Sequence, residues 1–162
     1  MLYIYRKATM QDAPAVLELY RSLLGMPGAT WDTEYPSMEF IEDDIRKDGL
    51  YLLTLEDGQI LSAASLLPDE ELNDLPFWRA DIQNPCELSR FGARSTAEHP
   101  GIGSKMLENL IQIASVSGFD GMRLLAGPEN ERALALYRKM GFRIAGHAHL
   151  YDCEWVCMEK PL

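Results

Sequence analysis

Glu87-Leu88-Ser89-Arg90-Phe91-Gly92-Ala93, followed after a short gap by Glu98-His99-Pro100-Gly101-Ile102-Gly103-Ser104-Lys105-Met106-Leu107, is the stretch that decides the reading of this chain. The first segment reads as a strand, and Ser95 to Pro100 as a loop that runs into Gly101-Ile102-Gly103. Ile102, Met106, Leu107, Leu110, Ile111 and Ala114 then fall on one stripe of a helix that stops at Gly118. A glycine-bearing turn from strand to helix brings backbone N–H groups up to an anion, at the end of the helix that carries partial positive charge. Two familiar nucleotide patterns do not fit. A dinucleotide fingerprint needs a third glycine where Met106 stands, and a phosphate-binding P-loop needs Gly-Lys-Ser/Thr, whereas Ser104 precedes Lys105.

Outward from this stretch the pattern is that of a mixed α/β chain. On the N-terminal side, Tyr3 to Ala8 reads as a strand. Thr9 and Asp12 resemble a capping box, and Pro14 lies in the first turn of a helix carrying Val16, Leu17, Tyr20, Leu23 and Leu24. Met26 to Pro36 is a loop, and Ser37 is placed to cap a second helix with Met38, Ile41 and Ile45. Leu50 to Leu55 and Gln59 to Leu67 form a hairpin about Glu56-Asp57-Gly58. Pro68 to Pro85 is an acidic loop. On the C-terminal side come a strand at Met122 to Ala126, a helix at Asn130 to Met140 stopped by Gly141, and strands at Arg143 to Leu150 and Glu154 to Glu159. The expected order is β-α-α-β-β-β-α-β-α-β-β, a single α/β domain over residues 1–162.

Composition narrows the function classes. The 162 residues carry 15 Lys and Arg against 25 Asp and Glu, a formal net charge of -10, with 47% hydrophobic residues. That surface repels phosphate backbones, so no nucleic-acid partner is expected. No apolar run reaches the roughly 18 residues of a membrane helix, and Met1 to Lys7 is not a signal peptide. A cytoplasmic protein with no membrane partner is expected. Among the three cysteines, Cys153 and Cys157 lie about 13 Å apart along a strand, too far to share a zinc ion, so no metal is expected. His147 and His149 read as surface residues with no acidic partner near them in sequence.

Glu87 to Ala93 with Glu98 to Leu107 resembles the acetyl-CoA-binding motif of the Gcn5-related N-acetyltransferase (GNAT) superfamily. Asn130-Glu131-Arg132-Ala133-Leu134-Ala135-Leu136-Tyr137-Arg138-Lys139-Met140-Gly141-Phe142 resembles its second cofactor signature. The element order of nearly the whole chain is similar as well. The resemblance implies a mixed, mostly antiparallel sheet flanked by helices, with strands four and five splayed apart. It implies acetyl-CoA as co-substrate, a primary amine on a small molecule or peptide as acceptor, and a monomer or homodimer. Phe91, Gly92 and Ala93 would meet the pantetheine arm through backbone groups, with a bulge at Gly92. The segment His99, Pro100, Gly101, Ile102, Gly103, Ser104 and Lys105 would hold the pyrophosphate, and Asn130, Ala133 and Tyr137 would line the cofactor from the other side. Three positions depart from the family pattern: Glu98 replaces Gln or Arg, Ser95 replaces proline, and Ala93 replaces valine.

The chemistry implied is direct attack of the amine on the thioester, with an oxyanion held by a backbone N–H. An amine of pKa about 10.4 must lose a proton first. Glu87 stands six residues before Ala93, where histone-type members hold their base, and strand alternation puts Glu87, Ser89 and Phe91 on one face. The alternative for Glu87 is a strand-end carboxylate paired with Arg90 or another cation. Tyr137 matches the family tyrosine that protonates the departing thiolate; its alternative is a core aromatic with a hydrogen-bonded hydroxyl. Asn130 also fits a helix cap. Trp31, Tyr35, Phe77 and Trp78 are expected at the amine site, where loop carboxylates and aromatic faces suit a cation. The rival functions are a non-catalytic acyl-CoA-binding module and a nucleotide-binding α/β domain.

Overall fold

A computed structural model describes residues 2–162. The elements are β1 (Tyr3–Lys7), α1 (Ala13–Ser22), α2 (Met38–Arg46), β2 (Leu50–Leu55), β3 (Ile60–Pro68), β4 (Pro85–Ala93), α3 (Ile102–Val116), β5 (Gly121–Ala126), α4 (Glu131–Lys139), β6 (Arg143–Leu150) and β7 (Cys153–Pro161). The order is the one read from the sequence. A short 3-10 turn at Met10–Asp12 precedes α1, and the Thr9 N–H donates to the Asp12 carboxylate at 2.7 Å, the reach-back bond of a capping box. Ser37 stands at the start of α2, but its hydroxyl makes no capping bond there.

The strands form one sheet in the order β1-β2-β3-β4-β5-β7-β6. Every neighbouring pair is antiparallel except β4–β5, which is parallel. Both faces of the central strands are covered, and each face has its own core. Leu53, Leu61, Leu88, Met122 and Leu124 pack with Ile102, Met106, Leu107 and Leu110 of α3 and Leu134 of α4. Leu50, Leu52, Ile60 and Ala63 pack with Val16, Leu19 and Tyr20 of α1 and Ile41 of α2. This explains why β3 is buried from Ile60 to Leu66 rather than alternating with polar residues. Ile102, Met106, Leu107, Leu110 and Ala114 of the α3 stripe are buried and Ile111 is partly buried, and each large apolar side chain fully buried there contributes about 1.5–3 kcal/mol through loss of water contact.

The fold opens between β4 and β5. Their pairing covers only Pro85–Gly121, Cys86–Met122 and Glu87–Arg123, although β4 runs on to Ala93 and β5 to Ala126. Past Glu87 the two strands diverge, and α3 and α4 begin beyond their ends. Among the described residues no helix is long and apolar enough to cross a membrane.

Candidate functional site

Immediately after Glu87, β4 is distorted. Ser65 of β3 pairs with Ser89 and Ala63 pairs with Gly92, so Arg90 and Phe91 together oppose Ala64. That is a β-bulge, and Arg90 carries its strain at φ +46°. The left-handed region costs a non-glycine residue about 1–2 kcal/mol. The bulge therefore sits at Arg90 and Phe91, not at Gly92. Gly92 is required for another reason: a Cβ there would lie 2.7 Å from Leu23 Cδ1 and 3.1 Å from the Trp31 ring. The extra residue also breaks the alternation. Glu87 and Ser89 face α1 and α2, whereas Phe91 packs with Leu88 against the α3 core, so the expected common face of Glu87, Ser89 and Phe91 does not form.

Glu87 is half-buried where the strands part. Arg90, its partner in the alternative reading, is taken by Asp44 of α2, with Nε–Oδ2 at 2.7 Å and Nη2–Oδ1 at 2.8 Å. Arg123, opposite Glu87 on β5, is held by Asp69 at 3.0 Å and by Asn73. Among the described residues the Glu87 carboxylate has no ion-pair or hydrogen-bond partner. Burial, then the charges of Asp69 and Glu71, push its pKa up from 4.5 to about 7. At the tip of the β6–β7 hairpin Tyr151, 64% exposed, reaches across and donates its hydroxyl to Glu71. Neither Tyr151 nor Asp44 was signalled by sequence spacing, because Tyr151 meets Glu71, and Asp44 meets Arg90 of β4, only across the fold.

The loop before α3 holds fewer free donors than expected. The His99 N–H is given to Thr96 Oγ1 and the Ile102 N–H to Ser95 Oγ, each at 3.1 Å. Pro100 has no N–H. The His99 ring is buried against the Tyr3 hydroxyl at 3.1 Å, and Lys105 Nζ turns back onto the Pro100 carbonyl at 3.1 Å. The N–H groups of Gly101, Gly103 and Ser104 form no hydrogen bond among the described residues. Three free amides at the N-terminus of a 15-residue helix fit a diphosphate. Ser95, where the family pattern has proline, fixes the loop by accepting from Ile102. Gly101 needs its left-handed φ of +68°, while Gly103 lets α3 approach Leu136 of α4, its would-be Cβ lying 3.4 Å from Leu136 Cδ2.

On the far side of the opening, Asn130 Oδ1 accepts the Ala133 N–H at 3.2 Å and so caps α4. Tyr137 is nearly buried and meets Phe142 edge to face at 5.7 Å. Its hydroxyl forms no hydrogen bond among the described residues, unlike a satisfied core tyrosine, and burial raises its pKa.

The four aromatics expected at one amine site are divided. Trp31 packs on Tyr20 at 4.9 Å and over Gly92. Tyr35 accepts from Arg90 Nη1 at 3.2 Å, so both lie beside the bulge. Phe77 instead covers Gly146 of β6. Trp78 donates Nε1–H to the Leu72 carbonyl at 2.7 Å and carries the Arg123 guanidinium 4.8 Å above its ring. These two fasten the Pro68–Pro85 loop to β5 and β6. His147 and His149 are exposed as expected, but His149 does have an acidic neighbour: Glu154, 2.5 Å away across the β6–β7 hairpin. The three cysteines are free.

With this geometry in place, comparison decides the family. The sequence model of the acetyltransferase (GNAT) family matches residues 15–142. The chain belongs to the GNAT family. It is an acyl-CoA-dependent N-acetyltransferase. Among relatives, IAA acetyltransferase of Azospirillum brasilense is 26% identical over 98% of this chain and 97% of its own length. An L-methionine sulfoximine/L-methionine sulfone acetyltransferase of Pseudomonas aeruginosa is 27% identical over 87% of this chain and 80% of its own. A GNAT phosphinothricin acetyltransferase from Sinorhizobium meliloti, solved in complex with AcCoA, shares the fold. Its TM-score is 0.74 at 21% identity, covering 100% of this chain and 89% of that one.

Proposed function

We propose that this GNAT chain moves an acetyl group from acetyl-CoA to a primary amine in a ternary complex, with Glu87 as base and Tyr137 as acid. The observation that carries the reading is the Glu87 carboxylate: half-buried, unpaired, with a pKa of about 7, at the mouth of the β4–β5 opening. A general base works best when its pKa lies near the working pH. The diphosphate would rest on the amides of Gly101, Gly103 and Ser104, and the pantetheine arm would run along the backbone of Phe91, Gly92 and Ala93. Bound there, acetyl-CoA supplies the acetyl group as an activated thioester.

Glu87 takes a proton from the ammonium, directly or through a water, and frees the nitrogen lone pair. The amine then attacks the carbonyl carbon, the new C–N bond forms, and the C–S bond breaks. The sulfur leaves with a proton from the Tyr137 hydroxyl, which its raised pKa keeps protonated at neutral pH, and the nitrogen sheds its second proton to water, from which Tyr137 is reprotonated. Asn130 supports this step indirectly, by capping the helix that carries Tyr137. Trp31, Tyr35 and Tyr151 would border the acceptor. The names of the two curated relatives favour a small-molecule acceptor over a protein. Three free thiols fit a reducing cytoplasm.

Thiol release from acetyl-CoA, followed with DTNB across a panel of amines, tests the reading. Amine-dependent release with an N-acetyl product is expected. Tight CoA binding with no transfer to any amine favours the non-catalytic module, and thermal stabilisation by NAD or ATP but not by CoA favours the nucleotide-binding domain.

A further inference from the structure

We infer that Arg90, Asp44 and Tyr20 form a positioning device that holds the β4 bulge in its left-handed conformation, and that transfer depends on that hold. The inference rests on the acetyl-transfer reading and adds residues to it. Nothing intrinsic to arginine favours φ +46°; strain of this kind persists only where the surroundings over-determine it, and it gathers at functional sites. Here the determination comes from both the backbone and the side chain. The Tyr20 hydroxyl, on the fully buried ring of α1, donates to the Arg90 carbonyl at 2.7 Å. The guanidinium is gripped at two points by Asp44, which is 2% exposed. Its outer nitrogen reaches Tyr35, and the group lies 5.3 Å above the Phe40 ring.

These contacts come from three separate elements, α1, the α1–α2 loop and α2, and all converge on one strained residue. That residue lies three positions after Glu87 and directly before Phe91, in the part of β4 that has lost its β5 neighbour. With no strand on that side to fix it, the local path of β4 is set from the helical layer. Arg90 is thus held by the protein and is not free to bind an anionic acceptor. Its worth to the reaction lies in where it puts the neighbouring backbone. Misplacing reacting groups by about 1 Å costs roughly 10²-fold in rate.

Two variant sets separate conformation from contact. Asp44→Asn/Arg90→Gly and Asp44→Asn/Arg90→Ala lack the same ion pair and differ in how readily residue 90 adopts positive φ. The glycine variant is expected to transfer acetyl about tenfold faster than the alanine variant in single turnover, with CoA affinity alike in both. Tyr20→Phe keeps the buried ring and serves if the double variants do not fold. It is expected to raise hydrogen exchange in residues 88–93 and to lower kcat several-fold with KM for the amine unchanged. Equal rates in the two double variants, or unchanged exchange or unchanged kcat in Tyr20→Phe, would overturn the inference. A wild-type chain that acetylates no amine overturns the transfer reading instead, and the hold on the bulge then stands or falls on the exchange result.

Discussion

Replacing Glu87 by Gln removes a charge that the folded chain holds at a cost, so the substitution should stabilise the protein, and only at higher pH. Glu87 has a folded pKa of about 7 against an ordinary 4.5. A group whose pKa rises on folding contributes stability below its unfolded pKa and loses it as pH climbs through the folded value. Wild type and Glu87→Gln should therefore differ little from this cause at pH 4.5. By pH 8 the variant should have gained about 3 kcal/mol relative to wild type, taking about 1.4 kcal/mol for each tenfold change in proton affinity. Because Glu87 is only half-buried, water screens part of this, and about 2 kcal/mol is the expected measurement. Urea unfolding of both proteins at the two pH values is the assay. With unchanged slopes, the midpoint of the variant should move up by roughly 1 M between pH 4.5 and pH 8 relative to wild type. A midpoint difference that is the same at both pH values would refute the reasoning, since it would mean that Glu87 ionises in the fold as easily as in the unfolded chain.

Three further outcomes follow from the site. Tyr137→Phe keeps the ring packed on Phe142 and should melt like wild type, yet lose about 10²-fold in single-turnover transfer, the lower end of general-acid assistance because a thiolate is a tolerable leaving group. Gly103→Ala places its Cβ at an ordinary 3.4 Å from Leu136 and should fold normally, whereas Gly101→Val must hold φ near +68° and should lose about 1–2 kcal/mol of stability; calorimetry should show weaker CoA binding in both. Glu98→Arg, which exchanges an exposed anion in the α3 loop for a cation, should tighten CoA binding, and more so at low salt.

The order of elements was legible because each carries its own punctuation: Gly101 before α3, the Asn130 cap, the Glu56–Gly58 turn. The family resemblance named Glu87, Tyr137 and the α3 loop as candidates. What the sequence did not contain was the position of the bulge, expected at Gly92 and found at Arg90 and Phe91. One extra residue in β4 moves Phe91 to the opposite face, and nothing local marks Arg90, whose unusual backbone is imposed by Asp44 and Tyr20 from 46 and 70 positions away. The alternative of Glu87 paired with Arg90 does not form for the same reason: a carboxylate on α2, Asp44, holds the guanidinium. Nor could loop composition separate Trp31 and Tyr35, which border the bulge, from Phe77 and Trp78, which pack against β5 and β6. Aromatics in acidic loops look alike until the sheet assigns them sides. The free amides were overcounted because Ser95 and Thr96 satisfy two of them from within the loop.

The most direct test of Glu87 as the base is the pH dependence of single-turnover acetyl transfer, with wild type and Glu87→Gln compared on the same amine at saturating acetyl-CoA. In wild type the rate should rise through an inflection near pH 7, where the Glu87 carboxylate becomes available. In the variant that inflection should be gone, leaving a slower rate that climbs only with the free-amine fraction. The same inflection in both proteins would contradict the assignment of the proton to Glu87.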